Sequence, residues 1–184
     1  MKKKYLLILI ILIFMTGCTS LNKMSKDDII HDYTLYKSPA NMRYLNYKYN
    51  LPRGMNIIST VDNSFKILYK NNYIYLRVNP EAFNNKLKYE SDLSNVTNYS
   101  KMLNNGEVKI DKTKDGDYFL FIIYNYGKIE AEVKGKDLNE VLAKSLILLN
   151  SLEYNTRKEE NFKIVTDNDY KINDDDHIKL KFDN

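Results

Sequence analysis

The sequence predicts an α+β fold in which an antiparallel sheet of five to six strands carries a long C-terminal helix packed on it. Two observations support this prediction. Apolar and polar residues alternate in pairs of segments that are joined by short turns, which is typical of β-hairpins. A later segment instead shows the three-to-four-residue spacing of an amphipathic helix.

The first hairpin is predicted between Phe65 and Val78. Phe65–Lys70 and Tyr73–Val78 both have the composition of strands, and Asn71-Asn72 separates them. Asparagine tolerates positive φ, so both asparagines suit a two-residue turn of the primed type. Pro80 ends the second strand, because proline has no amide hydrogen to give to a sheet.

Two further hairpins follow along the chain. Residues 107–111 alternate between charged and apolar types, and Asp115-Gly116 provides a turn. The next segment, Tyr118–Tyr124, is apolar throughout, which predicts a central strand that is covered on both faces. Asn125-Tyr126-Gly127 then leads into Lys128–Lys134, whose alternation predicts a strand with one solvated face.

An earlier strand and two weaker helices complete the predicted elements. Tyr44–Asn50 alternates, and Leu51-Pro52-Arg53-Gly54 stops it. The spacing of Ile29, Ile30 and Tyr33 predicts a short helix over Asp27–Tyr36. Apolar residues spaced along Ser91–Leu103 predict a second helix, which Asn104-Asn105-Gly106 would end.

The strongest helix prediction is Asp137–Tyr154. Asp137 suits the N-cap position and Glu140 stands three residues later, as in a capping box. The apolar residues from Leu138 to Leu152 follow helical spacing. Residues 146–148 make the apolar surface of the helix wider than a single stripe. We therefore expect this helix to lie against the sheet, or alternatively to leave an exposed patch that docks a partner.

The N-terminal segment has the parts of a bacterial secretion signal. Three lysines at residues 2–4 form a basic start, an apolar run follows, and Met15-Thr16-Gly17-Cys18 closes the segment. These last four residues resemble the lipobox of bacterial lipoproteins. The resemblance implies cleavage between Gly17 and Cys18 and a diacylglyceryl group on the Cys18 sulfur.

The apolar run is too short to span a bilayer well. Tyr5–Met15 has 11 residues, or roughly 16 Å as a helix, whereas a hydrocarbon core of about 30 Å needs about 20 residues. Two acyl chains would hold the cleaved chain firmly at the extracytoplasmic face of the cell membrane. The expected organisation is a signal peptide at 1–17, a lipidated tether with a possible short helix at 18–40, an α+β domain at 41–154 and a charged tail at 155–184. Apolar residues at 162–165 and 178–182 of the tail suit short edge strands.

Charge and composition give no indication of a nucleic-acid partner. The chain has 28 basic and 24 acidic residues, and loss of the three N-terminal lysines leaves a net charge of +1. A polyanion-binding protein would carry a clear basic excess. Because Cys18 is the single cysteine, no disulfide within the chain is available and the domain must rely on its core.

Motifs for catalysis or metal binding are not evident. The sequence has two histidines, His31 and His177, and lacks the short motifs of hydrolases, metalloproteases and nucleotide-binding proteins. Five aspartates between Asp167 and Asp176 do not match a calcium loop, which requires a glycine and a glutamate at fixed positions. Glu130 and Glu132 share one strand face, as paired acid and base carboxylates might, although a hydrated sheet face is the simpler interpretation. We expect no cofactor, no metal and no catalytic residue.

The order of elements over residues 42–154 resembles that of PsbP-like α/β/α sandwich proteins. Members of that family often carry a Leu-Pro-x-Gly-Trp segment, which corresponds here to Leu51-Pro52-Arg53-Gly54-Met55. The resemblance implies a noncatalytic accessory domain that binds proteins at a membrane surface. The competing architecture is a half barrel with a helix in its concavity, as in lipoprotein carriers, which implies an apolar ligand cavity.

Three functional hypotheses follow. The first is a membrane-anchored, noncatalytic lipoprotein whose extracytoplasmic domain binds another envelope protein. The second is a carrier of a lipid or other apolar ligand, which predicts a closed apolar cavity. The third is a carboxylate-dependent cell-wall hydrolase, which predicts a cleft with two acids roughly 5 to 10 Å apart.

Overall fold

A computed structural model of the chain describes residues 21–89 and 98–155. The predicted signal peptide, Cys18 and the charged tail from residue 156 onward lie outside the described residues. The same is true of His177, of the aspartates from Asp167 to Asp176 and of two short strands predicted in the tail at 162–165 and 178–182.

The described residues form ten strands and three α-helices. The strands are β1 (Met42–Tyr44), β2 (Tyr47–Tyr49), β3 (Asn56–Val61), β4 (Ser64–Tyr69), β5 (Asn72–Val78), β6 (Tyr99–Leu103), β7 (Gly106–Lys112), β8 (Tyr118–Tyr124), β9 (Gly127–Val133) and β10 (Glu153–Tyr154). The helices are α1 (Lys26–Leu35), α2 (Pro80–Asn84) and α3 (Leu138–Asn150), with single 3₁₀ turns at Leu21–Lys23 and Gly135–Asp137.

The strands build two antiparallel sheets. Seven of them lie in the order β3-β4-β5-β9-β8-β7-β6, and β1, β2 and β10 form a small second sheet. The predicted α+β class with an antiparallel sheet and a C-terminal helix is therefore confirmed, but the prediction of five to six strands was too low. Strand β3 was missed because its six residues follow no strict apolar alternation.

The helix predicted over Ser91–Leu103 is wrong in the part that the structure describes. Residues Tyr99–Leu103 form strand β6, in which Tyr99 lies opposite Ile110 of β7. Asn104 and Asn105 make a two-residue hairpin turn, and Asn105 has a φ of 65°. A five-residue segment with apolar residues at both ends fits both the spacing of a helix and the alternation of a strand. Pairing with β7 gives its backbone amide and carbonyl groups hydrogen-bond partners as a strand.

The strand predicted over Tyr44–Asn50 is instead a short hairpin. Its turn lies at Leu45 and Asn46, where Leu45 takes a φ of 47°. The second arm, β2, buries Tyr47 and Tyr49 completely in the core. Alternation alone could not locate this turn, because leucine at positive φ is not a turn signal in the sequence.

The three predicted hairpins are present. In the first of them, Tyr69 pairs with Asn72, so that the turn consists of Lys70 and Asn71 and lies one residue earlier than predicted. Lys70 adopts the positive φ, at 52°. Asn125 and Tyr126 form the turn between β8 and β9, with φ values of 48° and 59°.

The short N-terminal helix forms and is part of the core. Ser25 caps α1, and its hydroxyl accepts a hydrogen bond from the Asp28 amide at 3.1 Å. Ile29 and Ile30 are buried, and α1 packs against α3. The amide of Asn150 at the end of α3 also donates to the carbonyl groups of α1, including that of Thr34 at 2.9 Å.

Helix α3 packs on the sheet as predicted, with two corrections. It ends at Asn150, and Tyr154 belongs to β10, which pairs with β2. Asp137 makes no side-chain cap, because its carboxylate instead binds residues of the first hairpin. The apolar side chains of α3 are buried, apart from the half-buried Ile147, so the alternative of an exposed docking patch on this helix is wrong. The buried residues of α3 are Leu138, Val141, Leu142, Ala143, Ser145, Leu146, Leu148 and Leu149.

Candidate functional site

Strand β8 shows which face of the large sheet is covered. Leu120 and Ile122 point toward α3 and are fully buried, whereas Phe119, Phe121 and Ile123 on the other face are half-buried. The prediction that this strand is covered on both faces is therefore wrong. Its outward apolar residues are shielded in part by charged side chains of neighbouring strands rather than by a helix.

The face opposite α1 and α3 carries no helix among residues 21–89 and 98–155, and we call its accessible part the open face. Strands β4, β5, β9 and β8 contribute to it through every second residue. Its side chains are Lys66, Tyr73, Tyr75, Arg77, Phe121, Lys128, Glu130 and Glu132.

Two exposed tyrosines lie on the β5 side of the open face. Tyr73 is 48% and Tyr75 38% exposed, although both lie in a central strand of the sheet. The Lys66 ammonium lies 4.5 Å from the Tyr73 ring centroid and 5.8 Å from that of Tyr75. Such cation–π contacts hold the lysine stem across the rings and favour a defined arrangement.

Phe121 occupies the neighbouring part of the open face. The ammonium groups of Lys109 and Lys128 lie 5.8 Å and 5.9 Å from its ring centroid. Lys128 also pairs with Glu130 at 3.1 Å. The open face therefore combines accessible rings with charges of both signs.

Glu130 and Glu132 lie on the open face, as their alternation predicted. Glu130 binds Lys128 and is only partly exposed, and Glu132 lies opposite Phe119 in the β8–β9 ladder and is exposed. Both stand on a flat strand surface rather than across a cleft. This geometry favours the interpretation of a hydrated sheet face.

Beside the open face, toward β6, a carboxylate is buried. The Glu107 side chain is 1% exposed, pairs with Lys109 at 2.8 Å and accepts a hydrogen bond from the Tyr89 hydroxyl. Tyr89 therefore covers Glu107 at this end of the sheet. A buried carboxylate needs such partners, because burial of an unpaired charge costs several kcal/mol.

A second polar cluster joins the first hairpin to the start of α3. Asp137 is buried and binds Lys70 Nζ at 3.2 Å and Asn72 Nδ2 at 3.1 Å. Glu140 binds Lys70 Nζ at 2.6 Å and accepts a hydrogen bond from the Tyr69 hydroxyl. Two carboxylates thus share one ammonium group.

The pKa shifts in this cluster are those of a structural ion network. Burial raises the pKa of Asp137, but the hydrogen bonds from Asn72 and Lys70 outweigh it and lower the pKa overall. Hydrogen bonds from Lys70 and Tyr69 lower the pKa of Glu140. Burial and the bond to Glu140 raise the pKa of Tyr69 to about 12. A general acid that works near neutral pH needs a raised carboxyl pKa, so neither carboxylate suits that role.

One open groove lies at the end of the sheet near the β6–β7 and β8–β9 turns. Its volume is about 340 Å³, and its lining is mainly polar. The lining residues are Lys37, Asn104, Asn105, Tyr124, Asn125, Tyr126, Asn150 and Leu152. This groove differs from the closed apolar cavity that an apolar-ligand carrier would have between helix and sheet.

Of the remaining predicted site residues, Cys18 lies outside the described residues. His31 is exposed on α1, with Nδ1 3.3 Å from Asp32 Oδ1. Among residues 21–89 and 98–155, no cluster of three or more His, Cys, Asp or Glu side chains could hold a metal ion. No helix within the same residues is long and apolar enough to cross a membrane.

Comparison with family models and with curated proteins found no match. No protein-family model matches the chain, and no curated protein is similar to it.

The open-face aromatics were not identified from the sequence as a site, although a signal for them exists. In Tyr73–Val78 the aliphatic residues alternate with two tyrosines and Arg77. Because successive side chains of a strand point to opposite faces, burial of the aliphatic set places the tyrosines and Arg77 together on the other face.

Proposed function

We propose that this protein is a lipid-anchored, noncatalytic component of the bacterial cell envelope, and that its open face binds another envelope protein. The observation that carries the proposal is the pair of exposed tyrosines, Tyr73 and Tyr75, in the middle of a sheet face that none of the described helices covers. Contiguous accessible apolar groups with polar residues around them often mark a protein-binding site.

The chemistry of the open face favours a protein partner. Tyrosine and arginine are enriched in protein interfaces, because they combine apolar contact area with hydrogen-bonding groups. Lys66 and Lys128 frame the rings, and Glu130 and Glu132 add negative charge. A partner that is apolar at its centre and mixed in charge at its rim would complement this pattern.

The anchor part of the proposal depends on the lipobox-like residues. Met15-Thr16-Gly17-Cys18 supports lipidation of the Cys18 sulfur at the extracytoplasmic side of the cell membrane. In this arrangement the domain is held near the membrane surface, where other anchored or integral proteins are found.

The two architectures predicted from the sequence, a PsbP-like sandwich and a carrier-like half barrel, imply different functions. A PsbP-like architecture would agree with a noncatalytic accessory role, and the order of a hairpin-built sheet followed by a packed helix supports it. A carrier-like half barrel would need a closed apolar cavity beside α3, and the open, polar groove gives that alternative little support. The groove near the β6–β7 and β8–β9 turns is lined by no acidic side chain, which gives the hydrolase alternative little support.

The binding proposal is tested with envelope membranes that contain the full-length protein. Tyr73→Ser with Tyr75→Ser removes both rings from the open face, and Tyr36→Ser is the matched control, since Tyr36 is 56% exposed but lies at the end of α1. We expect a discrete cross-linked complex for the parent protein and the control, and its loss for the double variant. An unchanged complex in the double variant would contradict binding through the open face.

The anchoring proposal has a separate test. Mass spectrometry of the mature N-terminus should show a diacylglyceryl group on Cys18, and Cys18→Ala should move the protein out of the membrane fraction. Retention of Cys18→Ala in that fraction, to the same extent as the parent protein, would refute the lipid anchor without affecting the binding proposal.

A further inference from the structure

The open face carries a cluster of positive charges on three neighbouring strands. Arg77 of β5 lies directly opposite Lys128 of β9. On its other side Arg77 lies opposite Ser64 of β4, so that Lys66, two residues further along β4, is its diagonal neighbour. We call Lys66, Arg77 and Lys128 the basic patch.

The basic patch lacks enough negative charge of its own. Like charges directly opposite each other in a sheet are destabilising, and diagonal neighbours, about 7 to 8 Å apart, are still within reach of long side chains. Lys128 pairs with Glu130 at 3.1 Å. Neither Lys66 nor Arg77 forms an ion pair with any residue that the structure describes. Three cations and one carboxylate therefore leave the patch with a net charge of +2.

The adjoining sequence does not supply the missing negative charge. Residues 63–80, which contain β4 and β5, have three basic residues and no acidic residue. Arg77 is exposed, so its guanidinium group is accessible to a partner. A guanidinium group binds a carboxylate through two parallel hydrogen bonds, and a neighbouring ammonium group adds a second attraction. A carboxylate is therefore the ligand group that fits the patch.

The residues around the basic patch favour a protein carboxylate over a lipid phosphate. The Lys66 ammonium lies over the exposed rings of Tyr73 and Tyr75, which offer a partner apolar contact beside the charge. Glu130 and Glu132 stand on the same face. A membrane surface rich in phosphate would repel these two carboxylates, whereas a protein segment can place acidic residues over the patch and other residues over the glutamates.

We propose that the basic patch binds an acidic segment of the envelope protein that the open face recognises. One carboxylate of this segment is bound by Arg77 and Lys66, and its neighbouring residues contact the rings of Tyr73 and Tyr75. The inference rests on the proposed function, and it adds the charge of the partner and the residues that recognise it.

Charge reversal tests the role of the patch in membranes that contain the full-length protein. Lys66→Glu with Arg77→Glu should reduce the cross-linked complex about tenfold or more, because it places like charges against the partner. Arg43→Glu with Arg53→Glu is the matched control, since it makes the same change in net charge at two exposed residues outside the seven-stranded sheet. The purified patch variant should unfold at no lower urea concentration than the parent, because it removes the repulsion with Lys128.

Carbodiimide coupling identifies the partner's group. This reagent joins a carboxylate to an ammonium group in contact with it, so mass spectrometry should find Lys66 linked to an Asp or Glu of another protein. Lys66→Arg keeps the positive charge but has no amine to couple. We expect this variant to lose the carbodiimide link and to keep the complex.

The outcomes separate this inference from the proposed function. If Tyr73→Ser with Tyr75→Ser abolishes the complex but the patch variant forms it as well as the parent, the acidic partner segment is refuted and binding through the open face stands. If neither variant reduces the complex, both proposals fail. Coupling of Lys66 to phospholipid phosphate, without any protein carboxylate, would overturn the inference in favour of the membrane surface.

Discussion

Glu140, in the first turn of α3, lies 2.6 Å from the ammonium group of Lys70, in the turn of the first hairpin. The same ammonium group lies 3.2 Å from Asp137, so one lysine holds both carboxylates at the start of the helix. The two partners of the close pair are 70 residues apart in the chain. This contact fixes where α3 begins relative to the sheet and is the source of two predictions.

The first prediction concerns Asn72, which completes the site around Asp137. Its side chain is buried, donates to Asp137 at 3.1 Å and accepts from the Lys134 amide at 3.0 Å. Asn72→Ala should lower the free energy of unfolding by about 2 kcal/mol, because it leaves a buried carboxylate and an amide without these partners. Asn71→Ala, at the exposed neighbouring turn position, should change it by less than about 0.5 kcal/mol. Urea unfolding at neutral pH measures both, and equal losses would contradict this role of Asn72.

The second prediction is a dependence of stability on acid pH. Hydrogen bonds lower the folded-state pKa of both Asp137 and Glu140. A carboxyl group with a lowered folded-state pKa stabilises the fold above its unfolded pKa, and this contribution is lost as the pH falls through the folded value. We therefore expect stability to fall between about pH 5 and pH 3.

Replacing the shared lysine tests the source of that dependence. Lys70→Gln should weaken the loss of stability in acid, because the lowered carboxyl pKa values depend in part on its charge. Lys114→Gln, in the exposed turn before β8, should keep the parent profile. Urea unfolding measured at several pH values would show the difference, and identical profiles for all three proteins would contradict the assignment.

The third prediction concerns Gly106, where two backbones approach closely. A Cβ atom at this position would lie 2.0 Å from the carbonyl oxygen of Ile123 in β8. Gly106→Ala should therefore cost about 3 kcal/mol, because a strand backbone cannot move aside as a side chain can. At Gly116, which has a φ of +84° and open space around it, alanine should cost only about 1 kcal/mol for the backbone conformation. Thermal and urea unfolding of the two variants test this order.

The fourth prediction distinguishes the two faces of the large sheet. Leu120→Ala should cost about 3 kcal/mol, since Leu120 is fully buried under the helices. Tyr75→Ser on the open face should cost about 1 kcal/mol or less in the purified protein, because its ring is 38% exposed. If Tyr75→Ser proved as destabilising as Leu120→Ala, the face that it occupies would be covered rather than open.

Local patterns accounted for a large part of this fold. The strands of the first hairpin were predictable because aliphatic residues such as Ile74 and Leu76 alternate with polar or aromatic ones, and burial follows that alternation. Helix α3 was predictable from its spacing of leucines. The alternation of Glu130 and Glu132 with apolar residues likewise placed both on a solvated face. In each case the type of element and its buried face follow from residues that are close together in the sequence.

Other features depend on residues that are distant in sequence. Tyr99–Leu103 became a strand because β7 was available to pair with it. Asp137 occupies the N-cap position of α3, but its carboxylate binds Lys70 and Asn72 and does not cap the helix. The apolar sequence of Tyr118–Tyr124 could not show which of its faces the helices would cover.

The sequence alone determined the α+β class, the hairpins, the packed C-terminal helix and the lipobox-like residues that end in Cys18. The physical reason is that periodicity and turn residues act over a few positions. Only the tertiary structure decided that Tyr73 and Tyr75 share an accessible face with Phe121, and that Arg77 lies opposite Lys128 on that face. Strand order and the placement of helices are set by contacts across the whole domain, and these contacts determine which side chains remain accessible for binding.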